Sequence, residues 1–203
     1  MPFLHPNSRD KIPEHLHRLW DACEENYPQF KNLWATMAHS PIIFRHIWGE
    51  LLELKRSSPV EAKHFELAIV IASALTACNY CVSHHSPRVA SHGYTVEQLN
   101  VLDQTKLTSK PEWIYSSLFS EIDNLVMDLS YHLVWSGTYG QAHKVPQRII
   151  YENKKRIFQS LEKFFGKQQI EELVWRITQC VAFNWHNDFL EIDIEEEVVP
   201  LLE

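Results

Sequence analysis

The spacing of apolar residues predicts helices along most of the chain. Apolar positions recur at intervals of three and four, which places them on one face of a helix. This spacing links Leu16, Leu19, Trp20 and Cys23 near the start, and Ile170, Leu173, Val174, Ile177 and Val181 near the end. No strand pattern of alternating apolar and polar residues rises above chance. The hydrophobic pattern therefore predicts an all-α fold.

Capping residues predict where the central helices begin and end. Ser58-Pro59-Val60-Glu61 has the form of a capping box with proline at the first helical position. A helix should therefore run from Pro59 to about Thr76. The next helix should begin near Asn79 and end before Gly93, because glycine commonly follows the last residue of a helix.

Later segments are divided in the same way. Ser109 should open a helix that reaches about Val134, and Trp135 to Val145 should form a loop. Two long helices should follow, Pro146–Phe165 and Lys167–Leu190. Both carry bulky apolar residues on more than one face, which is typical of a large core or of a subunit interface. These residues are Ile149, Ile150, Phe158, Phe164, Trp175, Phe183 and Trp185.

One stretch combines an apolar run with reactive side chains. It spans residues 66–85 and reads ELAIVIASALTACNYCVSHH. Glu66 precedes an almost wholly apolar run, and Cys78, Cys81 and His85 follow that run. A carboxylate at the start of such a run must be paired, hydrogen-bonded or functional, because burying an unpaired charge costs several kcal/mol.

The two cysteines and the histidine form a pattern typical of redox chemistry. On a helix Cys81 and His85 are four residues apart and share one face. A helix N-terminus and a neighbouring base both favour the nucleophilic thiolate of a cysteine. A thiolate that attacks a peroxide becomes a sulfenic acid, which a second thiol within reach converts to a disulfide. The three-residue spacing from Cys78 to Cys81 allows that ring to close.

The position of Glu66 imposes a geometric condition on this site. On a single unbroken helix, Glu66 and Cys78 would point about 120° apart. Both can face one site only if the helix is interrupted near Thr76–Asn79, where Thr76 and Asn79 are suitable caps. We therefore expect a helix break directly before the cysteine pair.

The spacing E-x11-C-x-x-C-x3-H, with Ser73 in the expected place, resembles the motif of the AhpD-like alkylhydroperoxidases of the carboxymuconolactone decarboxylase superfamily. The flanking residues 65–67 and 88–99 are also similar to that family. The resemblance implies an all-α, AhpD-like helical bundle. We expect one domain over residues 1–203, with its core motif at 58–100 and an acidic tail at 191–203. It also implies a homo-oligomer, a trimer or a multiple of trimers.

The resemblance further implies a cofactor-free thiol peroxidase or disulfide oxidoreductase. Cys81 would attack the hydroperoxide, Cys78 would resolve the sulfenic acid, and Glu66 and His85 would relay the proton. An external dithiol, such as a thioredoxin-like or lipoamide-like reductant, would reduce the resulting disulfide. One position differs from the family pattern. The best-known peroxidases of the family have a histidine just before the second cysteine, where this chain has Tyr80.

Composition excludes several other classes of protein. The net charge is −7 and no basic cluster is present, which disfavours nucleic-acid binding. No apolar run approaches the roughly 18–20 residues of a membrane-spanning helix, and the N-terminus lacks the pattern of a secretory signal. The 4 cysteines are too few for a disulfide scaffold, which favours a reducing cytoplasm.

Two alternatives to the peroxidase remain open. One is a decarboxylase or lactone-processing enzyme of the same superfamily, whose members do not need the cysteine pair. The other is a zinc-stabilised binding module, in which Cys78, Cys81 and His85 would need a fourth ligand. His64, His84 and His92 are the candidates for that ligand.

Other polar positions have simpler interpretations. His84 points roughly 100° away from His85 on a helix and is expected at the surface. Cys23 and Cys180 lie on apolar faces and are expected to be inert core residues. The tail from Glu191 to Glu203 mixes acidic and apolar residues, as in a docking arm or a frayed end.

Overall fold

Helices account for every regular element that the structure describes. The computed structural model describes residues 1–102, 116–137, 144–198 and 201, and contains helices but no strand within them. This confirms the predicted all-α fold. The predicted start of a helix at Ser109 and residues 138–143 of the predicted loop lie outside the described residues. Contacts group the chain into two compact units, residues 1–58 with 186–199, and residues 59–185 with 200–203. The expectation of a single domain stays a prediction.

The first unit is built from short helices around an aromatic core. Trp34 and Phe44 are fully buried, and Trp20 packs its ring edge-on against Trp34 with centroids 4.7 Å apart. The helices are α1 (His17–Asn26), α2 (Lys31–Met37), α3 (Pro41–Ile43), a π-helical turn (Phe44–Trp48) and α4 (Gly49–Ser57), with 3-10 turns at Arg9–Lys11, Glu14–Leu16 and Pro28–Phe30.

Part of the acidic tail packs within this first unit. The backbone N–H of Asn32 donates to Oε1 of Glu195 at 2.7 Å, and the Asn32 amide donates to the carbonyl of Asp193 at 2.9 Å. Ile192 and Glu195 are buried. The tail is therefore packed at these residues rather than frayed.

The second unit is organised around one apolar helix. Its helices are α5 (Ala62–Leu75), α6 (Asn79–Ser91), α7 (Val96–Val101), α8 (Glu121–Gly137), α9 (Gln147–Leu161) and the start of α10 (Lys167–Leu190). Every residue of α5 from Glu66 to Ala74 is buried. A helix that is apolar on all sides must be central, and α5 contacts both α6 and α8. Helix α5 therefore fixes the positions of the side chains around Glu66.

Two predicted helix starts are displaced in the structure. Helix α5 begins at Ala62 instead of Pro59, because Ser58 is extended and its N–H closes α4 by donating to the carbonyl of Leu54. Helix α9 begins at Gln147, after Pro146 in the capping position, and ends at Leu161 rather than Phe165. The bounds of α10 are as predicted.

The bulky apolar residues of the last two helices divide into buried and exposed groups. Ile150 and Phe183 are buried in the chain itself. The others are well exposed, with values from 39% for Phe164 to 58% for Trp185. The predicted subunit interface stays a prediction. No helix in the described part of the chain is long and apolar enough to cross a membrane.

Candidate active site

A break between α5 and α6 places the cysteine pair at a helix N-terminus. Helix α5 ends at Leu75, and Thr76 is its C-cap. Ala77 follows in the left-handed region at φ 55°, and α6 begins at Asn79. This confirms the predicted interruption. The capping position of α6 is nevertheless Cys78 and not Asn79, because Cys78 has an extended backbone and Asn79 is already helical.

The break has the hydrogen bonds of a Schellman motif. The N–H of Ala77 donates to the carbonyl of Ala74 at 3.1 Å, and the N–H of Cys78 donates to the carbonyl of Ser73 at 3.0 Å. Glycine usually occupies the left-handed position of this motif, because it has no Cβ to clash. Alanine at that position costs roughly 1–2 kcal/mol. Surrounding contacts must therefore hold the break.

Cys78 and Cys81 are joined through the first turn of α6. The N–H of Cys81 donates to Sγ of Cys78 at 3.4 Å, so the sulfur of Cys78 serves as the helix cap. Both cysteines are buried and neither is in a disulfide. Negative charge on a sulfur at this position is favoured by the N–H groups and the dipole of the helix N-terminus.

Glu66 binds His85 and Arg88, which lie one turn apart on α6. Its Oε2 is 2.7 Å from Nδ1 of His85, and its Oε1 accepts from Nε of Arg88 at 2.7 Å. Nη2 of Arg88 also lies 2.7 Å from the same Oε1. The carboxylate and the imidazole are buried, whereas the Arg88 side chain is 34% exposed. The buried acid predicted from the sequence is thus paired on both oxygens.

The charges around Glu66 determine which nitrogen of His85 is basic. Burial acts to raise the pKa of the Glu66 carboxyl, but the charges and hydrogen bonds of His85 and Arg88 outweigh it and lower that pKa. Arg88 stays charged throughout the accessible pH range, so the carboxylate persists when His85 is neutral. A carboxylate only accepts hydrogen bonds, so Nδ1 of His85 carries the proton and Nε2 is the basic nitrogen.

His85 is neutral at neutral pH for a related reason. The pKa of its imidazole is lowered to about 4, mainly by burial. The charges of Arg88 and Arg176 act in the same direction, and Glu66 opposes them. A neutral imidazole with a basic Nε2 can accept a proton, and the carboxylate on its other nitrogen stabilises the resulting cation. The site therefore combines two thiols, a neutral base and a fixed carboxylate.

The histidine next to His85 is buried, so the prediction that His84 is at the surface is wrong. Only 2% of it is exposed, and its ring stacks on Tyr80 with centroids 4.0 Å apart. Nδ1 of His84 lies 2.6 Å from the carbonyl oxygen of Tyr80. Helix α6 is buried on more than one face from Tyr80 to Ser86, so a rotation of 100° does not reach solvent.

Sequence reasoning missed several residues of this neighbourhood. Arg88 had a local signal, because it is three residues after His85 and therefore on the same helix face. No local pattern predicted the contacts of Asn184 of α10. Its amide bonds Thr76 and Ser73, which lie 108 and 111 residues earlier in the chain. Cys180 lies 3.4 Å from Oγ of Ser73.

The two remaining cysteines are buried, as predicted. Burial raises the pKa of the Cys23 thiol to about 12 and that of the Cys180 thiol to about 11. Both are therefore thiols at neutral pH, which fits the inert role expected of them.

Among the described residues, no group of three or more His, Cys, Asp or Glu side chains is arranged to hold a metal ion. His64, one candidate for the fourth zinc ligand, instead lies 3.7 Å from Asp123 and packs edge-on against the ring of Phe165. His84 is stacked on Tyr80. The described part of the chain therefore contains no set of ligands for the proposed zinc site.

Comparison with solved structures identifies the fold. The apo debrominase Bmp8 superposes with a TM-score of 0.69 at 17% identity, over 95% of this chain and 92% of that chain. A protein of unknown function from Agrobacterium tumefaciens, provisionally named as the antioxidant defence protein AhpD, gives 0.59 at 18% identity, over 78% and 94%. The chain has an AhpD-like fold. An uncharacterised peroxidase-related protein from Silicibacter sp. TM1040 gives 0.66 at 12% identity, over 93% and 89%.

No protein-family model and no curated protein matches the sequence. The AhpD-like fold agrees with the resemblance found in the motif from Glu66 to His85. Identities of 12–18% establish the fold alone, so the activity must be argued from the side chains of the site.

Proposed function

We propose that this protein is a thiol-dependent peroxidase that cycles through a disulfide between Cys78 and Cys81. The observation that supports this most directly is the bond from His85 to Glu66. It holds a neutral imidazole on the same helix as the cysteine pair, one turn beyond Cys81. Arg88 completes the arrangement by neutralising the buried carboxylate.

The first step oxidises Cys81. Nε2 of His85 takes the proton of the Cys81 thiol, and the helix N-terminus favours the thiolate that forms. The thiolate attacks one oxygen of a hydroperoxide, the O–O bond breaks, and Cys81 becomes a sulfenic acid. The proton held by His85 passes to the departing oxygen, which leaves as an alcohol, or as water when the substrate is hydrogen peroxide.

The second step forms the disulfide. The thiol of Cys78 attacks the sulfenic sulfur of Cys81, an S–S bond forms, and the hydroxyl leaves as water with the Cys78 proton. An external dithiol then reduces the disulfide by exchange and is itself oxidised. The cycle consumes one hydroperoxide and one dithiol. It needs no cofactor or metal ion.

The test counts thiols before and after a stoichiometric dose of a small hydroperoxide. Wild-type protein should lose two titratable thiols and recover them with dithiothreitol. Cys81→Ser should abolish peroxide consumption, whereas Cys78→Ser should accumulate a sulfenic acid that dimedone traps. Cys23→Ala, which removes a buried cysteine of the other unit, is the control and should behave as wild type. Undiminished peroxide turnover by Cys81→Ser would contradict the assignment.

Reductive debromination is a second candidate activity. It is favoured by the similarity to the debrominase Bmp8. A cysteine-to-alanine variant of Bmp8 in complex with 2,3,4-tribromopyrrole superposes on this chain with a TM-score of 0.69 at 16% identity. Two thiols can supply the two electrons that replace a C–Br bond by C–H. Bromide leaves and the cysteine pair ends as a disulfide. Release of bromide from a brominated pyrrole, with no consumption of hydroperoxide, would select this activity over the peroxidase.

A further inference from the structure

We propose that Asn184 is a positioning residue for the cysteine pair, because its amide joins helix α10 to the break that precedes Cys78. This inference rests on the proposed redox function of the pair. Asn184 is 1% exposed. Its Nδ2 donates to Oγ1 of Thr76 at 2.7 Å, and its Oδ1 accepts from Oγ of Ser73 at 3.3 Å.

The hydroxyl of Thr76 fixes the orientation of that amide. Oγ1 of Thr76 donates its single proton to the carbonyl of Ala72 at 2.8 Å, within the last turn of α5. It can therefore only accept from Asn184, so Nδ2 must face Thr76 and Oδ1 must face Ser73. The S–H of Cys180 also lies within reach of Oδ1, at 3.6 Å.

These bonds hold both sides of the strained residue. Thr76 is the residue before Ala77, and Ser73 provides the carbonyl that accepts the N–H of Cys78. Ala77 has the left-handed backbone that alanine adopts only at a cost. Without the Asn184 amide, the backbone of Ala77 can return to a conformation that alanine prefers, or α5 can continue beyond Leu75. Either change would remove Cys78 from its capping position.

The capping position bears on the redox balance of the pair. The N–H of Cys81 donates to Sγ of Cys78 in the reduced protein, and that bond requires the break. Contacts that stabilise the reduced form of a dithiol make its disulfide easier to reduce. Loosening the break should therefore favour the disulfide. The relevant equilibrium is the exchange in which oxidised dithiothreitol oxidises the protein dithiol, giving reduced dithiothreitol and the protein disulfide.

The experiment measures this equilibrium constant in dithiothreitol buffers, after acid quenching and thiol labelling in denaturant. Thr76→Val keeps the shape of the side chain but removes the hydroxyl, and Asn184→Leu removes the amide. Each should raise the constant for disulfide formation about fivefold, the effect of one lost hydrogen bond. Thr76→Ser keeps the hydroxyl and should restore the wild-type value.

The matched control is Ser130→Ala. Oγ of Ser130 in α8 is buried and donates to the carbonyl of Ala68 at 2.7 Å. Ala68 is in α5, two turns before the break. This variant should lose stability without changing the constant. If Asn184→Leu fails to fold, the comparison of Thr76→Val with Thr76→Ser decides. An unchanged constant in Thr76→Val, or a shift toward the dithiol, overturns the proposal.

Amide hydrogen exchange separates this proposal from the proposed function. In Thr76→Val the N–H groups of Ala77, Cys78 and Cys81 should exchange about fivefold faster than in wild type. If wild-type protein forms no disulfide between Cys78 and Cys81, the redox function fails, and the exchange rates still decide whether the amide holds the break. Unchanged rates would overturn the positioning role.

Discussion

Replacing Arg88 with glutamine should make His85 easier to protonate, although its imidazole should stay largely neutral at neutral pH. Arg88 donates to one oxygen of Glu66, while His85 bonds the other. Glutamine can still donate a hydrogen bond but carries no charge. The carboxylate would then have His85 as its counter-charge, so the pair would gain from holding a proton on the imidazole. The pKa of His85 should rise.

The size of the rise follows from the geometry. Two unit charges about 4 Å apart interact by about 4 kcal/mol at an effective dielectric constant of about 20. The Arg88 side chain is 34% exposed, so solvent screening reduces that interaction to about 1–2 kcal/mol. His85 bonds the other oxygen of the same carboxylate, so we take the lower end of that range for the repulsion between Arg88 and a protonated His85. We therefore expect its pKa to rise by about one unit from its depressed value.

The assay is the pH titration of the His85 ring by NMR, combined with the pH profile of peroxide consumption. Arg156→Gln is the matched control. Nη1 of Arg156 bonds the buried carboxylate of Asp128 at 2.8 Å, and His132 lies 3.3 Å from the other oxygen. The control should raise the pKa of His132, leave the His85 titration unchanged and leave peroxide consumption unchanged. A folded Arg88→Gln variant with the wild-type His85 titration would refute the electrostatic argument.

Three further predictions use the same structure. Glu66→Gln and His85→Gln should each raise the pH of half-maximal Cys81 alkylation, and identical profiles would mean that the helix N-terminus alone activates the sulfur. Burial lowers the pKa of His85 in the folded protein, so its contribution to the free energy of unfolding is fully present above the unfolded pKa of about 6.5. That free energy should fall by about 2–3 kcal/mol as the pH falls toward about 4. Urea unfolding of wild type should show this loss, and His85→Gln should lack it. We also propose a homo-oligomer built through the exposed apolar residues of α9 and α10. Light scattering should return a mass several times 23.9 kDa, and a stable active monomer would refute this.

Local periodicity was enough to predict the central part of the site. Glu66 and Cys78 cannot face one point on an unbroken helix, and that mismatch predicts the break that the structure contains at Thr76–Cys78. The spacing from Cys81 to His85 likewise predicts their common helix face. Such inferences succeed because they depend on residues within about three and a half helical turns, whose relative directions the helix fixes.

The partners that hold the break could not be predicted in this way. Asn184 reaches Thr76 only because α10 packs beside α5, and no local pattern encodes that contact. The burial of His84 has the same origin, since tertiary contacts rather than helix periodicity decide which faces of α6 meet solvent. The capping role of Cys78 was also missed, because sulfur is a weak acceptor and is absent from the usual N-cap preferences.

The second unit contains two clusters of very similar chemistry, and their comparison shows why one of them is the candidate for chemistry. Glu66, His85 and Arg88 form one, and Asp128, His132 and Arg156 form the other. In both, a buried carboxylate lies between an arginine and a histidine, and burial lowers the pKa of the histidine. A perturbed pKa therefore does not select between them.

The difference lies in the residues one turn before each histidine. Cys81 precedes His85 by one turn at the start of α6, whereas α8 contains no cysteine and the residue four before His132 is Asp128 itself. The carboxylate of Asp128 thus occupies the helix position that a nucleophile would need. His132 has an acid that can orient it but no thiol within its own helix to activate. The electrostatic arrangement can serve structure in one place and catalysis in the other. The placement of a thiol at the α5–α6 break is what makes the Glu66 cluster the candidate for chemistry.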